Sequence, residues 1–268
     1  AGTMVEPGSG ITIMGYANVC APKDNLASQS IPYFHSISFD ELMTYSSTGA
    51  GNSCGTITST GNTAPVVGAI ATYTIPKLTP FDLIGKATDA DNDPLTYSWE
   101  ETDNNSTPHD LGTAAPYFKS DPPRTDSNRI FIPMANVLLG QTSIKGEYLP
   151  STPQTLNFRL TARDNKGGVC YGSSTLVIAN AGPFKVTSQN TTVTWNACKS
   201  EKITWDIAGT DQAPINTAKV DIFFTKDGGT TLIPVISGVP NTGSCNITVP
   251  TVTTTTGRII IKGVNNVF

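Results

Sequence analysis

The stretch "LNFRLTARD" (156–164) sets Leu156, Phe158, Leu160 and Ala162 against Asn157, Arg159, Thr161 and Arg163. Strict alternation gives a strand one apolar and one polar face, because successive side chains point to opposite sides of the backbone. The same beat recurs between Pro, Gly and Asn breaks in "TYTIP" (72–76), "PFDLIGKA" (80–87), "LTYSWEE" (95–101), "NRIFIP" (128–133) and "STLVIAN" (174–180). Short half-buried strands separated by turn formers predict a β-sandwich over residues 63–182.

Between Glu101 and Leu156 the rhythm fails, and "NNSTPHDLGTAAPYFKSDPPRTDSNR" (104–129) is too long for a plain loop. Residues 102–155 are therefore expected to be an insertion, with a short helix near "PMANVLLG" (133–140). Residues 183–268 resume the beat with "FKVTS", "TTVTW", "EKITWDIAG", "AKVDIFFTKDGGTTLIPV", "CNITVP" and "GRIIIKGV", which predict about seven strands. Within them "KDGG" (226–229) is a hairpin turn, since Asp-Gly supplies the positive φ angles it needs. Trp195 and Trp205 are the expected core anchors of this second sandwich.

Residues 1–60 differ. "SFDELMTYS" (38–46) has Ser38 and Glu41 at capping-box spacing, and Phe39, Leu42 and Met43 at i, i+3 and i+4 predict a single helix. "STGAGNSCGTITSTGN" (47–62) then runs out as a linker. The expected fold is mainly β: two tandem immunoglobulin-like β-sandwiches preceded by a small α-containing segment.

Composition narrows the function. Of 268 residues, 38% are hydrophobic and 14% charged, and the net charge is −4. No apolar run reaches the ~18–20 residues of a membrane helix. No basic stripe offers phosphate contacts, so nucleic acid is not an expected partner. No leader pattern opens the chain, so it is expected to start after processing or inside a longer protein. The Thr-rich, Lys-poor composition is that of exported bacterial proteins, which points to a secreted or cell-surface monomer. Five cysteines form no CxxC pair. Pairing within segments gives Cys20–Cys54 and Cys198–Cys245 and leaves Cys170 a buried free thiol; the alternative is five reduced, buried cysteines.

"EPGSGITIMGY" (6–16) places Met14 and Tyr16 in a turn-prone segment, and "PYFHSISFDEL" (32–42) runs into the predicted helix. These two stretches resemble the end of the catalytic domain in reprolysin-like metzincins, secreted zinc proteases of Bacteroidetes type. Met14 matches their Met-turn methionine, and Tyr16 the aromatic that follows. The passage through "TGNTAPVV" (60–67) and "ATDADNDPLTYSWEE" (87–101), and the later "ITWDIAGTDQAPINTAKVDIFFTKDGGTT" (203–231), resemble the immunoglobulin-like and polycystic-kidney-disease-like modules after that domain. The resemblance thus covers nearly the whole chain and makes residues 1–60 a catalytic-domain remnant. It implies zinc in the parent protein but not here. A catalytic zinc needs about three imidazoles and a general base. This chain has two histidines and no HExxH, since neither His35 nor His109 has a histidine four residues on. No residue is expected to be catalytic. The competing view of Met14 is an ordinary core methionine under a turn. His35 is expected to be a polar group near a helix start, and His109 an exposed residue of the insertion. A block cut from a larger domain is expected either to pack on the first sandwich or to be poorly ordered.

"TDADNDPLTYSW" (88–99) alternates Asp89, Asp91 and Asp93, an oxygen-rich spacing suited to calcium, with Asp164 of "ARDNKGG" able to approach from a neighbouring strand end. It equally suits a solvated turn whose carboxylates bind their own backbone. Two further roles compete with a protease tail: an adhesion or carbohydrate-binding module, with Tyr117 and Phe118 as candidate exposed stacking aromatics, and a calcium-stiffened spacer. The expected partner is a protein or polysaccharide surface.

Overall fold

The computed structural model describes residues 3–53, 55–105 and 111–268. In chain order come helix α1 (Ser36–Ser47), a 3-10 turn (Ala50–Ser53), β1 (Val66–Val67), β2 (Tyr73–Pro76), β3 (Phe81–Ile84), β4 (Ala87–Thr88), β5 (Thr96–Glu101) and β6 (Asn128–Phe131). Then follow α2 (Met134–Val137), β7 (Ser143–Ile144), β8 (Glu147–Tyr148), β9 (Gln154–Arg163), β10 (Val169–Ala179) and β11 (Lys185–Val186). The last five are β12 (Ser200–Asp206), β13 (Lys219–Thr225), β14 (Ile233–Pro240), β15 (Ser244–Thr248) and β16 (Arg258–Gly263). The chain is mainly β, in several sheets.

The opening stretch lies in β9, inside a four-stranded sheet of order β2-β10-β9-β5. Leu156, Phe158, Leu160 and Ala162 are all buried to 1% exposure or less, on the face the alternation predicted. β3 and β6 pair antiparallel and cover that face. Phe81 and Phe131 stack with ring centroids 4.7 Å apart, and Phe118 and Phe158 meet Phe131 edge-on at 4.9 and 5.0 Å. Burying rings of this size is the main stabilising term of the unit. β2 runs parallel to β10 from Leu176↔Tyr73 to Ala179↔Pro76.

The segment expected as an insertion belongs in large part to this core. Tyr117, Phe118, Ile132 and Leu149 are all core residues. Glu101, on the core face of β5, accepts at Oε2 from the backbone N–H groups of Tyr117 (2.6 Å) and Phe118 (2.9 Å). Arg129 donates to the carbonyls of Trp99 (2.6 Å) and Lys119 (2.7 Å) and to Glu147 Oε1 (3.0 Å). Turn-rich sequence hid these contacts, because long-range polar anchors leave no periodicity. The short helix is a single turn, α2.

The second unit faces β11-β12-β15 against β14-β13-β16. It has six strands, since "TTVTW" (191–195) is not extended into a ladder. Trp205 is a buried anchor whose Nε1 donates to Asn241 Oδ1 (2.8 Å), while Trp195 packs half-buried against the core. The two units touch. Asp82 N–H donates to the Val267 carbonyl (2.8 Å), Lys262 Nζ bonds Asp82 Oδ2 (3.2 Å), and Asn266 Nδ2 donates to the Thr74 carbonyl (3.0 Å).

The cysteine expectations change. Cys20, Cys170, Cys198 and Cys245 are free thiols, and Cys54 lies outside the described residues. On the β12–β15 ladder Cys245 faces Ile203, while Cys198 lies five residues before Ile203 and bonds Val249. At 3.4 Å per residue that is about 17 Å, beyond the reach of a disulfide. Cys170 is half-buried rather than buried.

Candidate functional site

The "GSGITIMGY" segment is a built turn. Gly8 and Gly10 adopt φ of 55° and 62°, the left-handed region glycine tolerates best, so the backbone coils around Glu6. The Glu6 carboxylate accepts from Ile11 N (3.0 Å), Thr12 N (3.3 Å) and Thr12 Oγ1 (2.6 Å). Gly15 N–H donates to the Thr12 carbonyl (2.9 Å), which closes a turn with Ile13 and Met14 at its corner. Met14 is 62% exposed and Tyr16 70%. The view of Met14 as a core methionine therefore fails.

α1 starts two residues before the expected cap. His35 is the N-cap; its Nδ1 accepts from Ile37 N–H (3.1 Å) and its Nε2 lies 3.2 Å from the Glu101 carbonyl. His35 is thus the polar group at a helix start that was expected. The Ser38–Glu41 capping box does not form, because both residues are inside the helix, and Glu41 accepts from Thr3 Oγ1 (2.6 Å). Nor is the expected apolar face buried: Leu42 and Met43 are exposed, and only Phe39 is partly covered. His109 lies outside the described residues.

The N-terminal block packs on the first β unit, one of its two expected fates. It sits on the outer, polar face of β5 and β9. Ser36 N–H donates to Glu100 Oε2 (2.9 Å), and Arg159 donates to Asp40 Oδ2 (2.8 Å). Arg163 donates to Ser98 Oγ (2.8 Å) and the Phe34 carbonyl (3.3 Å), and its guanidinium lies 5.3 Å from the Phe39 ring and 5.7 Å from the Tyr33 ring. Burial lowers the Arg163 pKa, with Glu100 and Tyr33 opposing. Burial, with Glu100 next, pushes the Tyr33 hydroxyl far up. These seat residues were missed in sequence. The signal was there: Arg159 and Arg163 occupy the outward positions of the alternating strand, and of adjacent Glu100 and Glu101 one must face each way.

At one end of the same unit Asp89, Asp91 and Asp93 each offer an oxygen within 4.8 Å of the others. Asp89 Oδ1 accepts from the N–H groups of Asp91 (2.9 Å) and Asp93 (3.1 Å), while Asp89 Oδ2 is buried without a hydrogen-bond partner. Thr63 N–H donates to Asp91 Oδ2 (2.7 Å) and Asn62 Nδ2 to Asp164 Oδ2 (2.8 Å), so the linker is tied to both loops. Asp164 is not in the trio; it also accepts from Lys166 and Gly168 N–H. The Asn62 amide, followed by those backbone donors, holds its carboxyl below the usual range against the effect of burial. Both features coexist: the carboxylates bind their own backbone as a turn does, and three of them converge.

Tyr117 and Phe118 are not surface aromatics. They are 3% and 2% exposed, so neither can stack on a sugar ring. The hydrophobic core claimed them because Glu101 pins their backbone inward. Among the described residues no helix is long and apolar enough to cross a membrane.

No family model matches the chain, and no curated protein matches it. Among solved structures it is similar to a Bacteroides ovatus mixed-linkage glucan utilization locus protein, SGBP-B, in complex with a mixed-linkage heptasaccharide: 12% identity, 76% of this chain, 45% of that chain, TM-score 0.24. A chimeric titin Z1Z2 tandem gives 12% identity over 74% of this chain and 90% of that one, with TM-score 0.25. A Dscam isoform structure gives 12% identity over 72% and 39%, with TM-score 0.25. The chain spans less than half of the glucan-locus and Dscam chains.

Proposed function

We propose that the chain is the C-terminal part of a secreted, reprolysin-like zinc metalloendopeptidase, and that its two β units, as immunoglobulin-like sandwiches, form a non-catalytic binding or spacing extension. One observation carries the proposal: an ordered block presents an apolar outer surface. Ile13, Met14, Tyr16, Val19, Leu42, Met43 and Tyr45 are all exposed on a segment whose backbone is otherwise well bonded. Such surface is what a piece of a larger domain leaves uncovered. Among the described residues no set fits a catalytic zinc. His35 is committed at both ring nitrogens to Ile37 and Glu101, so it offers no ligand to a catalytic zinc. The full reading frame tests the proposal. An HExxHxxGxxH segment shortly upstream of Ala1 is expected, and its absence would overturn the protease origin.

A second reading, a calcium-stiffened spacer, rests on the carboxylate trio. The donor set suits calcium: three hard oxygens converge, and one of them, Asp89 Oδ2, is buried without a donor. Calcium there would fasten the linker through Thr63 and hold the block to the first β unit. Melting with calcium against melting with chelator tests it. A higher midpoint with calcium, abolished by Asp89→Asn, is expected; equal midpoints remove calcium from the account.

A further inference from the structure

We infer that the N-terminal block is a releasable cap, held by charge over the outer face of β5 and β9. Permanently covered sheet faces are apolar, and strands buried on both sides read as continuous hydrophobic runs. β9 does not. Its inner positions are Leu156, Phe158, Leu160 and Ala162, but the covered outer positions include Arg159, Thr161 and Arg163, joined by Ser98 and Glu100 of β5. Such a face is stable in water as well as under a cover.

The cover itself is matched to the face by charge and dipole. Glu100 caps the N-terminus of α1 at Ser36 N–H, where the helix carries partial positive charge. Asp40 takes Arg159, whose guanidinium also lies 3.8 Å from the Tyr171 ring. Closing the cap has a cost, for it buries Glu100 Oε1, Ser36 Oγ and Thr161 Oγ1 without hydrogen-bond partners. Unpaired buried polar groups subtract from the gain of docking. Of the cap's large apolar groups only Val5, Ile11 and Tyr33 are buried, while Leu42, Met43, Met14 and Tyr16 point to solvent and contribute little. The balance is a contact that salt can weaken where its ion pair reaches solvent, at Arg159 and Asp40. The linker that would let the cap leave is exposed throughout residues 55–61.

The test uses the full chain with a specific protease site placed within residues 55–61. After cleavage, the two pieces are followed by gel filtration at low and at 1 M sodium chloride, where screening shortens to about 3 Å. Co-elution at low salt and separation at high salt is the expected result. Pieces that stay together at 1 M, or that part at low salt, overturn the inference. Arg159→Met keeps the stem over Tyr171 and removes the charge. It should weaken re-association roughly two- to fivefold, with the tryptophan fluorescence unchanged as proof that the β units are intact. An affinity equal to that of the parent chain would equally overturn the inference.

Discussion

The N-terminal block and the first β unit are both ordered, yet they are stabilised in opposite ways. The β unit turns its apolar residues inward and closes a ring cluster around Phe131, which is fully buried. The block keeps its backbone bonded around Glu6 and at the α1 cap and buries Val5, Ile11 and Tyr33, but Met14, Tyr16, Leu42 and Met43 face out. Backbone hydrogen bonds suffice to shape a segment; only burial gives it stability of its own. The block therefore depends on a neighbour, and in this chain the neighbour offers a charged seat.

The sharpest way to break this contrast is to remove side chains from each region and compare. Phe131→Ala should cost about 3–5 kcal/mol in urea unfolding, the range for a buried aromatic. A loss under 1 kcal/mol would mean that the ring cluster is not the core.

Titration separates the core face of β5 from the loop that follows β9. Burial, reinforced by Asp103, raises the Glu101 carboxyl well above its ordinary value, and the N–H groups of Tyr117 and Phe118 only partly oppose this. A raised carboxyl favours the protonated fold, so its contribution is present below the unfolded value and is lost as pH rises through the folded one. Glu101→Gln should accordingly gain on the parent chain as pH goes from 4 to 7, read as the difference in melting midpoint. Asp164, held low, carries the opposite sign. Its contribution is present above the unfolded value and is lost as pH falls, so Asp164→Asn should lag most at pH 7. Parallel midpoint curves for either variant would remove that carboxyl from the account.

Gly229 probes the contact between the β units. Its φ is 88°, and an added Cβ would meet Met134 of α2. Gly229→Ala should cost about 1 kcal/mol or slightly more; an unchanged midpoint would show that the hairpin and α2 yield freely. Smallest of all, Met14→Ser and Leu42→Ser should each stay within about 0.5 kcal/mol. A large loss at either would show that the block's outer face is covered in solution, and would erase the contrast.

Much of this was written in local pattern. Alternation placed β2, β3, β5, β6, β9 and β10, and it named the inner face of β9 residue by residue, because period-two sterics act within a few residues. The turn at Met14, the polar role of His35 and the convergence of Asp89, Asp91 and Asp93 were likewise local. What tertiary structure alone decided were matters of distance along the chain. Tyr117 and Phe118 went to the core because Glu101, sixteen and seventeen residues earlier, holds their backbone. Cys198 and Cys245 lie apart because ladder register, not segment membership, sets their separation. The cap over β5 and β9 joins residues more than sixty positions apart, through charges whose partners no periodicity encodes.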